Sequence, residues 1–298
     1  MGYGDAFSSY HPLVNFLYFT LVIGFTMFFL HPVSLAISLA ASLCYCACLS
    51  GWRGVWRRWK YLLPLMLMAA VLNPAFNHAG VTILTYLPSG NPLTLESILY
   101  GIAAAVMLAA VITWFSCYTM VMTSDKFVYL FGRVIPALSL ILSMALRFVP
   151  KCKGQLRTVN EAQRCVGRDV FQGPPVQRAQ NAIAIFSIMV TWSLEDAIET
   201  ADSMKSRGYG LPGRTDFSIY RLDGRDRLAL GWLALCGTYV AAGWAAGSLA
   251  WRYYPALRGG SLGVLPISFQ LAYLALCLTP VILDGREARR WTRLRSAV

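Results

Sequence analysis

Residues 195–210 read EDAIETADSMKSRGYG, and the last turn of this segment offers the one grouping whose chemistry stands out. Glu195, Glu199 and Asp202 are spaced four and three apart, so they share one face of a helix. Lys205 and Arg207 then oppose the negative end of the helix dipole. Gly208 suits the position just past a helix, where the backbone turns left-handed. One reading of Ser206-Arg207-Gly208 is therefore a plain helix cap. The other is a binding group: a guanidinium is permanently charged, makes paired hydrogen bonds to carboxylates, and would here be held at a rigid helix tip. An upstream stretch carries a second pattern. Arg157, Glu161, Arg164 and Arg168 also fall on one helical face, with Val159, Ala162 and Val166 giving an apolar side. The two charged faces could cross, or each could simply face water.

Catalytic patterns are missing. The chain contains no G-x-x-x-x-G-K-[ST], no G-x-G-x-x-G before a helix and no H-E-x-x-H. His11, His31 and His78 are isolated, and the eight cysteines form no C-x-x-C pair. We expect no catalytic, metal or cofactor site, and hence a non-enzymatic protein. Asn73, Asn77 and His78 break the apolar pattern and are expected to cap a helix at the membrane edge.

The elements that must position the Arg207 tip are set by composition. Of 298 residues, 57% are hydrophobic and only 13% charged, with a mean hydropathy of +0.52. A surface so poor in charge could not shield that much apolar material from water, so the chain reads as an integral membrane protein. The first apolar run follows Asp5 and His11 rather than a basic segment, so it is expected to be retained rather than cleaved. The net charge of +12 fits basic cytoplasmic loops better than nucleic-acid binding, because no basic patch is interleaved with aromatics on a soluble domain.

A spanning helix needs about 20 mostly apolar residues. The runs 14–30, 32–50, 61–78, 98–122, 228–248 and 264–283 meet that requirement. Lys and Arg cluster at 53–60, 151–178, 205–227 and 286–295, and none lies between 79 and 97. By the positive-inside rule the clusters are cytoplasmic, giving six crossings with both termini inside. Parity then requires that 126–149, although apolar, make no net crossing. We expect it to lie along the interface with Lys126, Arg133 and Arg147 reaching water. The fold is thus all-α: a polytopic membrane protein with about six transmembrane helices and two long cytoplasmic helices, separated by the breaker QGPP at 172–175. The expected sections are residues 1–125, 126–226 and 227–298.

The order of these pieces resembles one family. HPLVNFLYF (11–19), HPVSLAISL (31–39), NPAFNHAG (73–80), PALSLILSMALRFVPK (136–151), EAQRCVGRD (161–169) and EDAIETADSMKSRGYG (195–210) together resemble the transmembrane T component of energy-coupling factor transporters, which includes the cobalt-transport permease. The resemblance spans nearly the whole chain. It implies two ABC-type ATPase subunits as cytoplasmic partners and a small membrane S component that binds the vitamin or metal ion. It also implies plasma-membrane residence in a prokaryote, and two coupling helices that end in Ala-Arg-Gly-like motifs docked into the ATPases. The second motif falls on Ser206, Arg207 and Gly208. The first falls on Cys165, Val166 and Gly167, with Val166 where an arginine is expected and with Arg164 and Arg168 on either side. The alternative class is a stand-alone secondary transporter or channel, which would keep an ionisable residue at mid-membrane; none is evident.

Overall fold

The computed structural model describes residues 6–77, 80–86, 92–132, 135–212, 220–259 and 263–295. His78 and Arg133 lie outside them. The described residues form the helices α1 (Pro12–Phe28), α2 (Pro32–Phe76), α3 (Leu95–Val121), α4 (Ser124–Gly132), α5 (Pro136–Cys165), α6 (Pro175–Ser206), α7 (Gly224–Ala245) and α8 (Val264–Arg295). Two short antiparallel β-hairpins join them: β1 (Ile83–Tyr86) with β2 (Pro92–Thr94), and β3 (Trp251–Arg252) with β4 (Arg258–Gly259). The chain divides into two compact units, one of residues 1–123 with 220–298 and one of residues 124–219.

The first unit holds the apolar helices. Histidine starts two of them: the Nδ1 atoms of His11 and His31 each accept from the backbone N–H two residues on, at 3.2 Å, ahead of Pro12 and Pro32. A proline at the first helical position costs nothing there, since its missing N–H would be unpaired anyway. α2 breaks once, at Gly51, whose φ of 71° leaves the helical region. Before the break α2 runs in the same sense as α3: Trp114 donates to Ser38 at 3.0 Å, and Ser50 sits 3.6 Å from Met120. After it the sense reverses, because Arg58 contacts Met120 while Gly101 packs on Ala70 and Pro74. α2 is therefore two antiparallel passes. With α1, α3, α7 and α8 they give the six expected apolar passes. The link between the two halves is helical rather than a loop, and α8 carries its helix on through the basic tail to Arg295.

The core of this unit is aromatic, with Phe7, Tyr18, Phe19, Tyr45, Trp114 and Tyr273 all essentially inaccessible. Its hydroxyls satisfy one another, as buried polar groups must. Thr26 bonds Ser38 at 2.7 Å and Tyr273 at 3.0 Å, and Tyr18 donates to the Cys277 carbonyl at 3.0 Å. The carboxylates act as ties: Asp226 accepts from the His11 N–H at 3.2 Å, and Asp284 from the Phe7 N–H at 3.1 Å. Glu96 accepts from the Thr82 hydroxyl at 2.8 Å and closes the β1–β2 hairpin.

The second unit contains α4, α5 and α6. Its helices end where Gly and Pro put punctuation: α5 stops at Cys165, and α6 starts with Pro175 in its first turn. Among the described residues, four helices besides α6 are long and apolar enough to cross a membrane; α6 also meets that measure, with little of its apolar window buried. α5 does not meet it. One expectation fails here. Lys126 does not reach out to water but is buried at 6% exposure, whereas Arg147 is exposed. Tertiary packing covers Lys126, and hydropathy alone does not register that.

Candidate functional site

The ends of α5 and α6 are closed by the same hydrogen-bond pattern. At α5, the Gly167 N–H donates to the Arg164 carbonyl at 3.0 Å, and the Arg168 N–H to the Gln163 carbonyl at 2.9 Å. At α6, the Gly208 N–H donates to the Lys205 carbonyl and the Tyr209 N–H to the Met204 carbonyl, both at 3.0 Å. Each pair is the nested 5→2 and 6→1 arrangement of a Schellman motif, which satisfies carbonyls that a helix end leaves unpaired. The motif needs a left-handed residue, and glycine supplies it at φ +82° (Gly167) and φ +77° (Gly208). Val166 (φ −88°, ψ 4°) and Arg207 (φ −84°, ψ 8°) therefore occupy the same place in two equivalent turns. The correspondence between Cys165-Val166-Gly167 and Ser206-Arg207-Gly208 is thus one of backbone geometry as well as of sequence.

The side chains at the two tips differ. Arg207 is exposed, and among the described residues its guanidinium has no hydrogen-bond or ion-pair partner. Ser206 turns back on its own helix, donating to the Ser203 carbonyl at 2.8 Å. At the other tip Val166 is 72% exposed. Arg164 is engaged, its Nε 3.3 Å from Asp169 Oδ2. Arg168 is exposed and, among the described residues, unpaired. Cys165 is an exposed free thiol. The turn after Gly167 is pinned to the start of α6: Asn181 donates to the Asp169 carbonyl at 3.0 Å and Arg178 to the Val170 carbonyl at 2.9 Å. A recess of about 390 Å³ lies there, lined by Arg164, Cys165, Gly167, Asp169, Gln172, Gln177 and Asn181.

Among the described residues no ion pair joins the two charged stripes. α5 and α6 cross instead where Lys151 pairs with Asp196 and lies 5.6 Å from the centre of the Trp192 ring, with Phe148 stacked on Trp192 at 6.0 Å. Glu195, Glu199 and Asp202 stay exposed, Asp202 having only Lys205 at 3.9 Å. Neither Phe148 nor Trp192 stood out in the sequence, since each is one aromatic in an apolar run. On the outside of α6, Ile183, Phe186, Val190, Leu194 and Ile198 form an exposed apolar stripe at helical spacing.

Residues 7–218 match the model of the family described as cobalt transport protein, CbiQ. The chain belongs to that family. The match takes in both helix tips and all of α4–α6. Among its relatives is the energy-coupling factor transporter transmembrane protein EcfT of Lactobacillus helveticus, 33% identical over 102 residues, which are 34% of this chain and 37% of that protein. EcfT 1 of Listeria monocytogenes is 28% identical over 183 residues, 57% of this chain and 67% of the relative. EcfT of Bacillus selenitireducens is 28% identical over 194 residues, 61% and 72% of the two chains. The first of these alignments spans little more than a third of the relative's length.

Proposed function

We propose that this CbiQ-family chain is the non-catalytic transmembrane coupling subunit of an energy-coupling factor importer. Two ABC-type ATPase subunits bind on the cytoplasmic side, and their ATP-driven motion passes through α5 and α6 to a small membrane S component that carries the vitamin or metal ion. The observation that carries this reading is the pair of equivalent glycine-closed helix ends, one of which holds an exposed, unpartnered arginine. A joint that transmits force needs directional contacts at a stiff end. Arg207 supplies a fork of N–H donors for a carboxylate-lined groove, and the backbone bonds around Gly208 keep that fork from swinging with the loop. At the other end Arg168 is the cation available to replace the arginine missing at Val166, since Arg164 is occupied by Asp169. The apolar stripe of α6 is the surface for the S component or the membrane interface. The protein resides in the plasma membrane of a prokaryote with both termini in the cytoplasm.

The test is co-purification from native membranes in mild detergent. The wild-type chain is expected to bring down two ATPase subunits and a small membrane protein. Arg207→Glu is expected to insert normally and lose the ATPases together with ATP-dependent uptake. Undiminished uptake by Arg207→Glu would sink the assignment.

A further inference from the structure

The reversal at Gly51 builds a second site, within the first unit. Folding 52–60 back against 43–50 and α3 opens a cavity of about 350 Å³ walled by Leu43, Val55, Leu62, Leu65 and Ile112. That size is in the range of pockets that hold a small ligand or part of a larger one. Cys46, Tyr61, Thr113 and Ser116 line it too, and two further polar groups bear on what it could hold. The first is Arg58. Its Nη1 lies 2.7 Å from Cys46 Sγ and 3.0 Å from Ser50 Oγ, and its Nη2 lies 3.3 Å from Met120 Sδ. These contacts orient the guanidinium but involve two sulfurs and a hydroxyl, with no carboxylate. They use three of its five N–H groups. The second is Trp59, which also lines the cavity and whose indole Nε1 is buried with, among the described residues, no hydrogen-bond partner. A buried N–H without an acceptor is unfavourable, and a ligand oxygen would remove that cost. Around the cavity Arg53, Arg57 and Lys60 are exposed, and among the described residues none of them, nor Arg58, is paired with a carboxylate.

A mainly apolar groove in a membrane helix hairpin, with cations that no described carboxylate pairs and an unsatisfied N–H at its basic end, has the charge and polarity of a lipid seen headgroup-first. Basic pockets between membrane helices take anionic headgroups. A zwitterionic headgroup would bring its own cation among four others. We propose that the groove between the two halves of α2 and α3 binds an anionic phospholipid. Its phosphodiester oxygens accept from Arg58 and the Trp59 indole, and an acyl chain lies along Leu62, Leu65 and Ile112. The bound lipid wedges the reversal at Gly51 and gives Arg58 an oxyanion partner that no carboxylate among the described residues supplies.

Native mass spectrometry of the full chain, released from detergent, tests this with phosphatidylglycerol and phosphatidylcholine of identical acyl chains. The expected result is one retained phosphatidylglycerol with at least tenfold preference over phosphatidylcholine, not displaced by inorganic phosphate. Arg58→Gln should reduce that preference at least fivefold, and Trp59→Phe, which keeps the ring but removes the donor, should reduce it less. Ile112→Phe keeps every charge while filling the groove, and should lower occupancy even if Arg58→Gln proves unstable. Arg57→Gln, on the exposed side, should change occupancy less than twofold. Equal binding of the two lipids overturns the proposal, as does full phosphatidylglycerol retention in both Arg58→Gln and Ile112→Phe. So does displacement by free phosphate, or a small membrane protein held in place of the lipid.

Discussion

The tips of α5 and α6 are the same turn with different chemistry. Gln163–Arg168 and Met204–Tyr209 place their backbone hydrogen bonds alike, to within about 0.1 Å, and both rely on a left-handed glycine. At the position between helix and glycine, one holds an exposed valine and the other an exposed arginine. The geometry of such an end depends on the glycine and on backbone groups, so the side chain at the tip can change without altering the turn. The comparison separates what builds the tip from what the tip binds. Under the proposed function the two arms would engage their partners unequally, through Arg207 on one side and Arg168 or an apolar contact at Val166 on the other.

The largest effect is expected at the charged tip. Losing one partner of a desolvated charge pair costs roughly 3–5 kcal/mol, so Arg207→Glu should weaken ATPase binding more than a hundredfold in a detergent binding assay. Arg164→Glu, whose partner is Asp169, should weaken it far less. If Arg164→Glu and Arg207→Glu prove equal, the asymmetry between the tips is broken. Next, Val166→Arg places a guanidinium in the equivalent turn. A hydrogen bond to a charged group contributes about 1.5–3 kcal/mol, so this variant should tighten ATPase association by an order of magnitude or more and partly rescue Arg207→Ala. No gain would mean that the first arm meets a surface without carboxylates.

The backbone side of the comparison predicts smaller changes. A side chain forced into the left-handed region costs about 1–2 kcal/mol. Gly167→Ala should lose about that much, because its added Cβ would meet nothing within 4 Å. Gly208→Ala should lose more, because its Cβ would stand 3.1 Å from Leu211 Cδ1. Thermal unfolding of the two variants measures the difference, and an equal loss would remove the distinction. Smallest, and serving as a contrast, is the cap at His31. Glycine-closed ends do not titrate, but the Nδ1 of His31 accepts the Val33 N–H only when neutral. Burial holds its pKa below the ordinary imidazole range. The folded state therefore binds protons less readily than the unfolded one, and this contribution is present above the unfolded imidazole pKa and fades as pH falls through the folded one. An N-cap is worth about 1 kcal/mol. Thermal stability of the wild type should drop by that order on acidification, and His31→Asn should flatten the drop while leaving the α5 and α6 ends unaffected.

Much of this arrangement was legible because it rests on local signals. Six apolar runs, the QGPP break and the Arg207-Gly208 terminus each depend on residues within a few positions of one another. Helix length, proline geometry and glycine's access to positive φ act over that range. What escaped the sequence depends on partners far along the chain. Lys126 is a cation in an apolar stretch and reads as one that would reach for water, yet it is buried. The α5–α6 crossing at Lys151, Phe148, Trp192 and Asp196 joins residues about 45 apart. No spacing rule distinguishes Asp196 from Glu195 or Glu199 beside it.

The sequence by itself determined that the chain is a helical membrane protein, where α5 and α6 part, and that its second arm ends in an arginine on a glycine turn. Hydropathy and backbone stereochemistry are properties of short segments, so they survive without a fold. Only the tertiary structure decided that Val166 and Arg207 stand in equivalent turns, with Arg164 taken and, among the described residues, Arg168 and Arg207 unpaired. It also decided that α2 doubles back at Gly51 and leaves Arg58 and the Trp59 indole facing an apolar groove. Whether a charge or an N–H finds a partner is settled by three-dimensional packing, where residues distant in sequence compete for the same few ångströms.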